Sequence, residues 1–249
     1  MQKTPFITIL YRILLLIVHI VVGITILATV WVFCEQATRD KLIRWWSKGV
    51  LWRFNIKVVT FGETPSPNQE SSMILANHIS WIDIYALNSV IPVRFIAKSD
   101  INNWPVFGYL ARKSGTIFIN RTSRKDTARI VNKTAESLSN RNNVAFFPEG
   151  TTTDGTTLGH FKSSLVQAAI QANCTIKPLA IRYPNPDGSA NTNLAYAGET
   201  TMAESMMQAL KTKQPIVELH FLPAIDNLSG NRQVITQNAY NAIADALDF

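Results

Sequence analysis

The chain is poor in the residues that hold proteins together through covalent links or metals. Of its 249 residues only two are cysteine and four are histidine. Cys34 and Cys174 form no C-x-x-C pair, which excludes a disulfide framework and a cysteine zinc site and is compatible with a reducing compartment. Acid is scarce as well. Against 24 Lys and Arg stand 17 Asp and Glu, a formal net charge of +7. The partners to look for are therefore anionic: nucleic acid, an anionic membrane surface or phosphate-bearing substrates. Internal repeats and low-complexity segments are missing, so solenoids and compositionally biased arrays are excluded. The most informative absence is local: residues 13–33 contain no Asp, Glu, Lys or Arg.

That uncharged run is about 20 residues long, enough to cross or deeply enter a bilayer. It is too long for the apolar region of a signal peptide and no small-x-small site closes it, so it reads as an uncleaved anchor. His19, inside the run, is expected to be neutral and hydrogen-bonded to a neighbouring helix. In residues 38–54, Arg39, Lys41, Arg44, Lys48 and Arg53 interleave with Leu42, Ile43, Trp45, Trp46, Val50, Leu51 and Trp52. This pattern predicts a helix with bases on one side and tryptophans on the other, lying among lipid headgroups, with an ordinary helix packed on the domain as the alternative. Basic residues after the anchor outnumber Lys3 and Arg12 before it, which places the following domain in the cytoplasm. Anionic lipid accounts for bases beside an anchor better than nucleic acid does, so no nucleic-acid partner is expected.

The chain therefore divides into residues 1–55, an anchor with an interfacial helix, and residues 56–249, where apolar strand-like runs alternate with helical patterns. Strands are expected at 56–61, 71–76, 93–97, 115–121, 143–147, 175–181 and 216–222. Helices are expected at 81–89, 104–112, 123–139, 161–171 and 231–247. Such alternation implies an α/β domain with a largely parallel sheet flanked by helices. Trp104-Pro105 is expected to open its helix with proline at the first position, and Ser123 with Asp126 to form a capping box. Met202, Met206 and Met207 read as core residues, and His160 and His220 as structural ones.

Two stretches carry the chemistry. In residues 76–83, Ala-Asn-His-Ile-Ser-Trp-Ile-Asp, His78 and Asp83 lie five apart where a strand gives way to a helix, with Ser80 and Asp83 spaced as a capping box. On a regular helix two such side chains diverge by roughly 140°. With His78 just outside the helix, its ring can fold back onto Asp83, which fixes the tautomer and leaves the other ring nitrogen to accept a proton. The second stretch, residues 146–155, reads Phe-Phe-Pro-Glu-Gly-Thr-Thr-Thr-Asp-Gly. It follows a buried strand, where open α/β sheets bind ligands. Glu149 supplies a carboxylate, Gly150 a close backbone approach, and Thr151 and its neighbours hydroxyls. With Arg121 closing a third strand, three strand ends are expected to converge on one site.

Four motifs, taken in order, resemble those of the glycerolipid acyltransferases, of which the 1-acylglycerol-3-phosphate O-acyltransferases are the best known. They are H-x4-D from His78 to Asp83, G-x-x-F-I-x-R from Gly115 to Arg121, F-P-E-G-T from Phe147 to Thr151, and the strand carrying Pro178. The resemblance covers roughly residues 71–183. It implies that His78 is the general base and Asp83 its partner, that Arg121 clamps an acceptor phosphate, and that Glu149 binds the acceptor through a hydroxyl. Backbone N–H groups near Gly150 or Thr151 would serve the oxyanion, and Lys98 and Lys162 would contact anions. The acyl donor would be acyl-coenzyme A or an acyl carrier protein, the acceptor a membrane lysolipid, and no cofactor or metal would be needed. The chain departs from the phosphatidate-forming pattern at Thr152, where many such members have arginine. Threonine there, with 151–155 and Phe161-Lys162-Ser163-Ser164-Leu165, resembles the lyso-ornithine lipid acyltransferases. Rival readings are a metal hydrolase with His78, Asp83, Glu149 and Asp154 as ligands, and a non-catalytic lipid-binding module.

Overall fold

The computed structural model of the chain describes residues 4–65, 71–120, 124–226 and 231–249. Seven strands form one sheet: β1 (Lys57–Phe61), β2 (Ser72–Ala76), β3 (Arg94–Lys98), β4 (Ile117–Ile119), β5 (Val144–Phe146), β6 (Thr175–Arg182) and β7 (Ile216–Phe221). Their order is β1-β7-β6-β2-β5-β3-β4, and only β6 with β7 is antiparallel. Every residue of β2 is buried, as expected of a strand covered on both faces. Alternation then divides the core: Ile74 and Ala76 join the apolar cluster on one face, and Met73 and Leu75 the cluster on the other.

Helices cover both faces. α1 (Phe6–Thr29), α2 (Gln36–Arg53), α3 (Ile82–Val90), α4 (Phe107–Lys113), α5 (Arg124–Ser139), α6 (Gln167–Ala172), α7 (Met202–Lys211) and α8 (Arg232–Leu247) follow in chain order. α3 leaves β2 and packs with α2 on the first face, while α6, after β5, packs on the second. Neighbouring strands whose connections diverge to opposite faces leave a crevice at their carboxyl ends.

Three helices differ from the sequence expectation. The segment predicted at 161–171 becomes helical only at Ser164, first as a 3-10 turn, because Phe161 is held in the core and Lys162 N–H donates to Pro148 O at 2.9 Å. Pro105 is not the first residue of α4. Val106 stands before it with φ 62°, and Phe107 N–H donates to Pro105 O in a tight three-residue turn. α7, unpredicted, begins with a capping box formed by Thr201 and Glu204. The Ser123 half of the other expected box lies outside the described residues.

The uncharged run also divides differently. α1 starts earlier, after Pro5, and ends at Thr29, and a 3-10 turn (Trp31–Phe33) reverses the chain into α2. Among the described residues α1 is the one helix long and apolar enough to cross a membrane. Phe6, Leu10, Leu14, Ile17 and Val21 point outward uncovered, and Ile9, Leu16, Gly23 and Leu27 face the protein. His19 is buried there, stacked on Trp46 at 4.2 Å, with its Nε2 donating to Trp46 O at 3.0 Å. A carbonyl only accepts, so the Nε2-protonated tautomer is required. A side chain on Gly23 would overlap the Trp46 ring, and one on Gly49 the His19 ring. Gly23→Ala should therefore lower unfolding stability by about 1–3 kcal/mol, measured by denaturant titration in neutral detergent.

α2 does not segregate bases from tryptophans. Trp46 turns inward, Ser47, Val50 and Leu51 are buried, and Trp45 and Trp52 share the exposed face with Lys41 and Lys48. The reason is rotational. At about 100° per residue, positions 41, 45, 48 and 52 fall on one side of the helix and 43, 46, 47 and 50 on the other.

Candidate active site

The site begins where β2 stops. Asn77 follows its last residue, and its side chain replaces ladder bonds to β6, donating to Ile181 O at 3.0 Å and accepting from Ile181 N–H at 2.7 Å. His78 comes next, outside the helix. Its Nδ1 lies 2.7 Å from Asp83 Oδ2, so Nδ1 carries the proton and Nε2 is left as the acceptor. The ring stacks on Phe147 with centroids 3.8 Å apart and an interplanar angle of 5°. A carboxylate at its edge and a phenyl on its face hold the imidazole plane.

Asp83 is fully buried in the first turn of α3 and has four donors. Oδ2 accepts from His78 Nδ1, from Ile79 N–H at 2.8 Å and from Ser80 N–H at 3.0 Å. Oδ1 accepts from the hydroxyl of Tyr183. The carboxylate thus reaches back to the backbone as in a capping box, but the box is not reciprocal. Trp81, not Ser80, is the residue flanking the helix, and no side chain caps it. Two backbone amides leave Oδ2 oriented toward His78 and hold the negative charge in place.

Tyr183 escaped the sequence reading. It ends the segment after β6 and is almost wholly buried, and burial beside Asp83 pushes its phenol well above the ordinary value, so it remains a donor. The only sequence signal is a hydroxyl-bearing aromatic at the end of the strand beside β2. Tyr183→Phe should cost about 1–2 kcal/mol of stability and reduce turnover about tenfold, with binding of the acyl donor little changed. Denaturation and steady-state kinetics on one preparation would check both.

The loop after β5 locks onto this arrangement. Glu149 Oε1 accepts from His78 N–H at 2.7 Å and Oε2 from Gly159 N–H at 2.8 Å. The carboxylate is buried, and each oxygen is engaged by one backbone N–H, so it ties the loops after β2 and β5 together. Burial raises its pKa above the ordinary 4.5 despite those two donors. A raised carboxyl contributes stability that is fully present below the unfolded value and lost as pH rises through the folded one. The stability of the wild type relative to Glu149→Gln should accordingly be greatest below about pH 4.5 and shrink as pH rises, as thermal melts across that window would measure.

The remaining expected residues divide. Gly150 adopts φ 79°, which only glycine takes without strain, and its N–H donates to Phe147 O at 3.1 Å, so that N–H is not an open oxyanion donor. Thr151 is exposed beside it. Thr152 donates its hydroxyl to Tyr196 O, and Thr153 N–H donates to His78 O at 2.8 Å. Lys98 is an exposed residue paired with Asp100 at 2.5 Å, and His160 and Lys162 are exposed. His220 stacks on Phe61 at the far side of the sheet and pairs with Glu218. Arg121 lies outside the described residues, so two of the three expected strand ends, those of β2 and β5, are seen to meet. No cluster of three metal-binding side chains occurs among the described residues.

An apolar cavity of about 170 Å³ opens between α1, α2, α3, β3 and α4. Phe95 in its wall stacks on Phe147 at 5.9 Å, and Phe147 in turn stacks on the His78 ring, so packed side chains separate the cavity from the imidazole.

The chain is similar to known proteins over most of its length. The Acyltransferase family model matches residues 57–182. A lyso-ornithine lipid O-acyltransferase of Pseudomonas aeruginosa is 32% identical over 209 residues, 84% of this chain and 79% of that protein. A 1-acyl-sn-glycerol-3-phosphate acyltransferase of Neisseria gonorrhoeae is 32% identical over 80% of this chain and 81% of that one. The crystal structure of the 1-acyl-sn-glycerophosphate (LPA) acyltransferase PlsC from Thermotoga maritima superposes with a TM-score of 0.74 over 97% of this chain and 94% of the other, at 18% identity, and so shares the fold.

Proposed function

We propose, on the premise that this chain belongs to the acyltransferase family, that it is an O-acyltransferase moving a fatty acyl group from a thioester to the free hydroxyl of a membrane lysolipid. The favoured acceptor is 1-acyl-sn-glycerol-3-phosphate, giving phosphatidic acid. The observation that carries the reading is a His78 ring whose Nδ1 is held by Asp83 and whose Nε2 has no partner among the described residues, with an apolar cavity two ring contacts away.

His78 Nε2 takes the proton from the lysolipid hydroxyl as its oxygen attacks the thioester carbon. A positioned base of this kind contributes about 10² to 10⁴ in rate. The tetrahedral oxyanion then collapses, the carbon–sulfur bond breaks, and the imidazolium returns its proton to the leaving thiolate. Asp83 remains ionised and stabilises the imidazolium. With Gly150 N–H already bonded, the backbone N–H of Thr151 is the donor proposed for the oxyanion, a role whose loss costs about 3–4 kcal/mol. Arg121 is proposed to clamp the acceptor phosphate, with Lys98 a weaker contact because Asp100 already pairs with it. Acyl-coenzyme A or an acyl carrier protein supplies the acyl group, no further cofactor takes part, and activity should survive a chelator.

The uncovered apolar face of α1, with Trp45, Trp52, Lys41 and Lys48 exposed on α2, supports attachment to an anionic membrane surface, with the domain on the cytoplasmic side. The cavity is proposed to take the acyl chain. Ala111 lies in its wall, and Ala111→Trp should shift donor preference from palmitoyl toward decanoyl by about tenfold in kcat/KM, as competition between the two donors would measure.

A second reading of the acceptor rests on Thr152, whose hydroxyl is bonded to the Tyr196 backbone at a position where phosphatidate-forming relatives often carry a cation. That position favours lyso-ornithine lipid. Purified protein in detergent, offered both lysolipids with labelled acyl carrier protein and acyl-coenzyme A, decides between them. Acylation of neither lipid with either donor would overturn the proposed reaction.

A further inference from the structure

A second cleft, of about 340 Å³, opens at the other end of the sheet. Arg94 in its wall begins β3 and Asn143 directly precedes β5, whereas His78 and Phe147 follow the carboxyl ends of β2 and β5, so the sheet separates this cleft from the catalytic base. Its charge is one-sided. Arg39 and Arg44 enter from α2, Arg94 from β3, Lys113 from the end of α4 and Arg141 from the turn after α5, against a single acid, Asp40. Asp40 accepts from the side chain of Gln36 at 2.7 Å and feels the charges of Arg94 and Arg44, but among the described residues it forms no ion pair within 4 Å with any of these cations, so one carboxylate stands against five.

Two guanidinium nitrogens carry the argument further. Arg39 Nε and Arg44 Nε are buried, and neither has a hydrogen-bond partner among the described residues. An unpaired buried donor is costly, more so on a charged group, so neither guanidinium is fully satisfied by the protein, and both residues line a cleft where an oxyanion with several acceptor sites is the complementary chemistry. The Arg39 guanidinium is already held over the Trp31 ring, 5.5 Å from its centroid, and burial lowers the pKa of Arg94 without bringing it near neutrality, since guanidinium stays charged in proteins.

The neighbouring surface points to the source of the anion. The cleft adjoins the turn joining α1 to α2, where Val30, Val32 and Phe33 are exposed, Phe33 by 88%. Uncovered apolar side chains beside a pocket of bases match a lipid, with chains on one side and phosphate on the other, and have no use for a small soluble anion. We propose that this cleft is a phosphate-binding site distinct from the catalytic centre, occupied by the headgroup phosphate of an anionic bilayer lipid that is not the substrate. Such a lipid would bridge α2 to β3 and fix the α1–α2 hairpin against the sheet.

The test is calorimetric titration of the full chain in neutral maltoside detergent with dihexanoyl-phosphatidylglycerol, with inorganic phosphate in a parallel arm. The lipid should bind, and Arg39→Gln with Arg94→Gln together should weaken it about tenfold or more, as expected when two charged donors are lost. Lys133→Gln with Lys211→Gln, which removes the same charge from exposed positions of α5 and α7 outside the cleft, should leave the affinity within about twofold. If the arginine pair melts below wild type, Arg141→Gln at the exposed rim replaces it, with a loss of about threefold expected. No binding, equal affinity in the cleft variants, or equal weakening by the lysine pair would overturn the site. Phosphate binding as tightly as the lipid would overturn the lipid as its occupant.

Discussion

His78→Ala will reduce acyl transfer by about 10²–10⁴-fold while the chain stays folded, because the substitution removes the proton acceptor and little of the core. The ring is partly exposed, and its removal leaves Asp83 with three remaining donors, Ile79 N–H, Ser80 N–H and Tyr183. The measurement is kcat and KM for both lysolipids, with circular dichroism melts on the same preparation. Acceptor KM should change far less than kcat, since Nε2 acts on the hydroxyl proton in the transition state. A folded variant with undiminished turnover would remove His78 from the mechanism and leave the family unaffected.

Asp83→Asn should be as damaging to turnover, by about 10³–10⁴-fold, and should also destabilise the protein. An amide keeps the volume but supplies one acceptor oxygen and one donor nitrogen, where the carboxylate meets donors on both sides. Either the nitrogen faces Tyr183 and the oxygen serves His78, or the reverse, in which case the imidazole is driven to the wrong tautomer. The first arrangement still loses the charge that stabilises the imidazolium. Removing one charged acceptor from a fully buried cluster should cost about 1–3 kcal/mol of stability. Pairing the variant with Tyr183→Phe separates the causes: if Tyr183 acts only through Asp83, the double variant will lose little more than Asp83→Asn alone. Losses that multiply would give Tyr183 an independent role.

Much of the site was legible in the chain because its motifs are local. His78 and Asp83 lie within one strand-to-helix junction, so their meeting depends on a few backbone angles and not on the fold at large. Glu149 was legible as a member of the site but not by its task. A carboxylate after a buried strand has many uses, and only the approach of the β2 and β5 loops shows both oxygens engaged by His78 and Gly159. Tyr183 was not legible at all, since 100 residues separate it from Asp83 and β6 lies beside β2 only in the assembled sheet.

The α1–α2 hairpin shows the same division. Composition and spacing alone established that residues 13–33 carry no charged side chain, that the chain is basic, and that strand-like and helical patterns alternate around H-x4-D and F-P-E-G-T. These conclusions follow from side-chain chemistry and spacing, which are properties of the chain itself. Tertiary structure alone decided that Trp46 turns inward against Gly23 and His19, that bases and tryptophans share one face of α2, and that five cations converge at the end of the sheet opposite His78. The physical reason is that close packing and charge convergence are relations between segments distant in sequence, and they acquire an energy only when the sheet has brought those segments together.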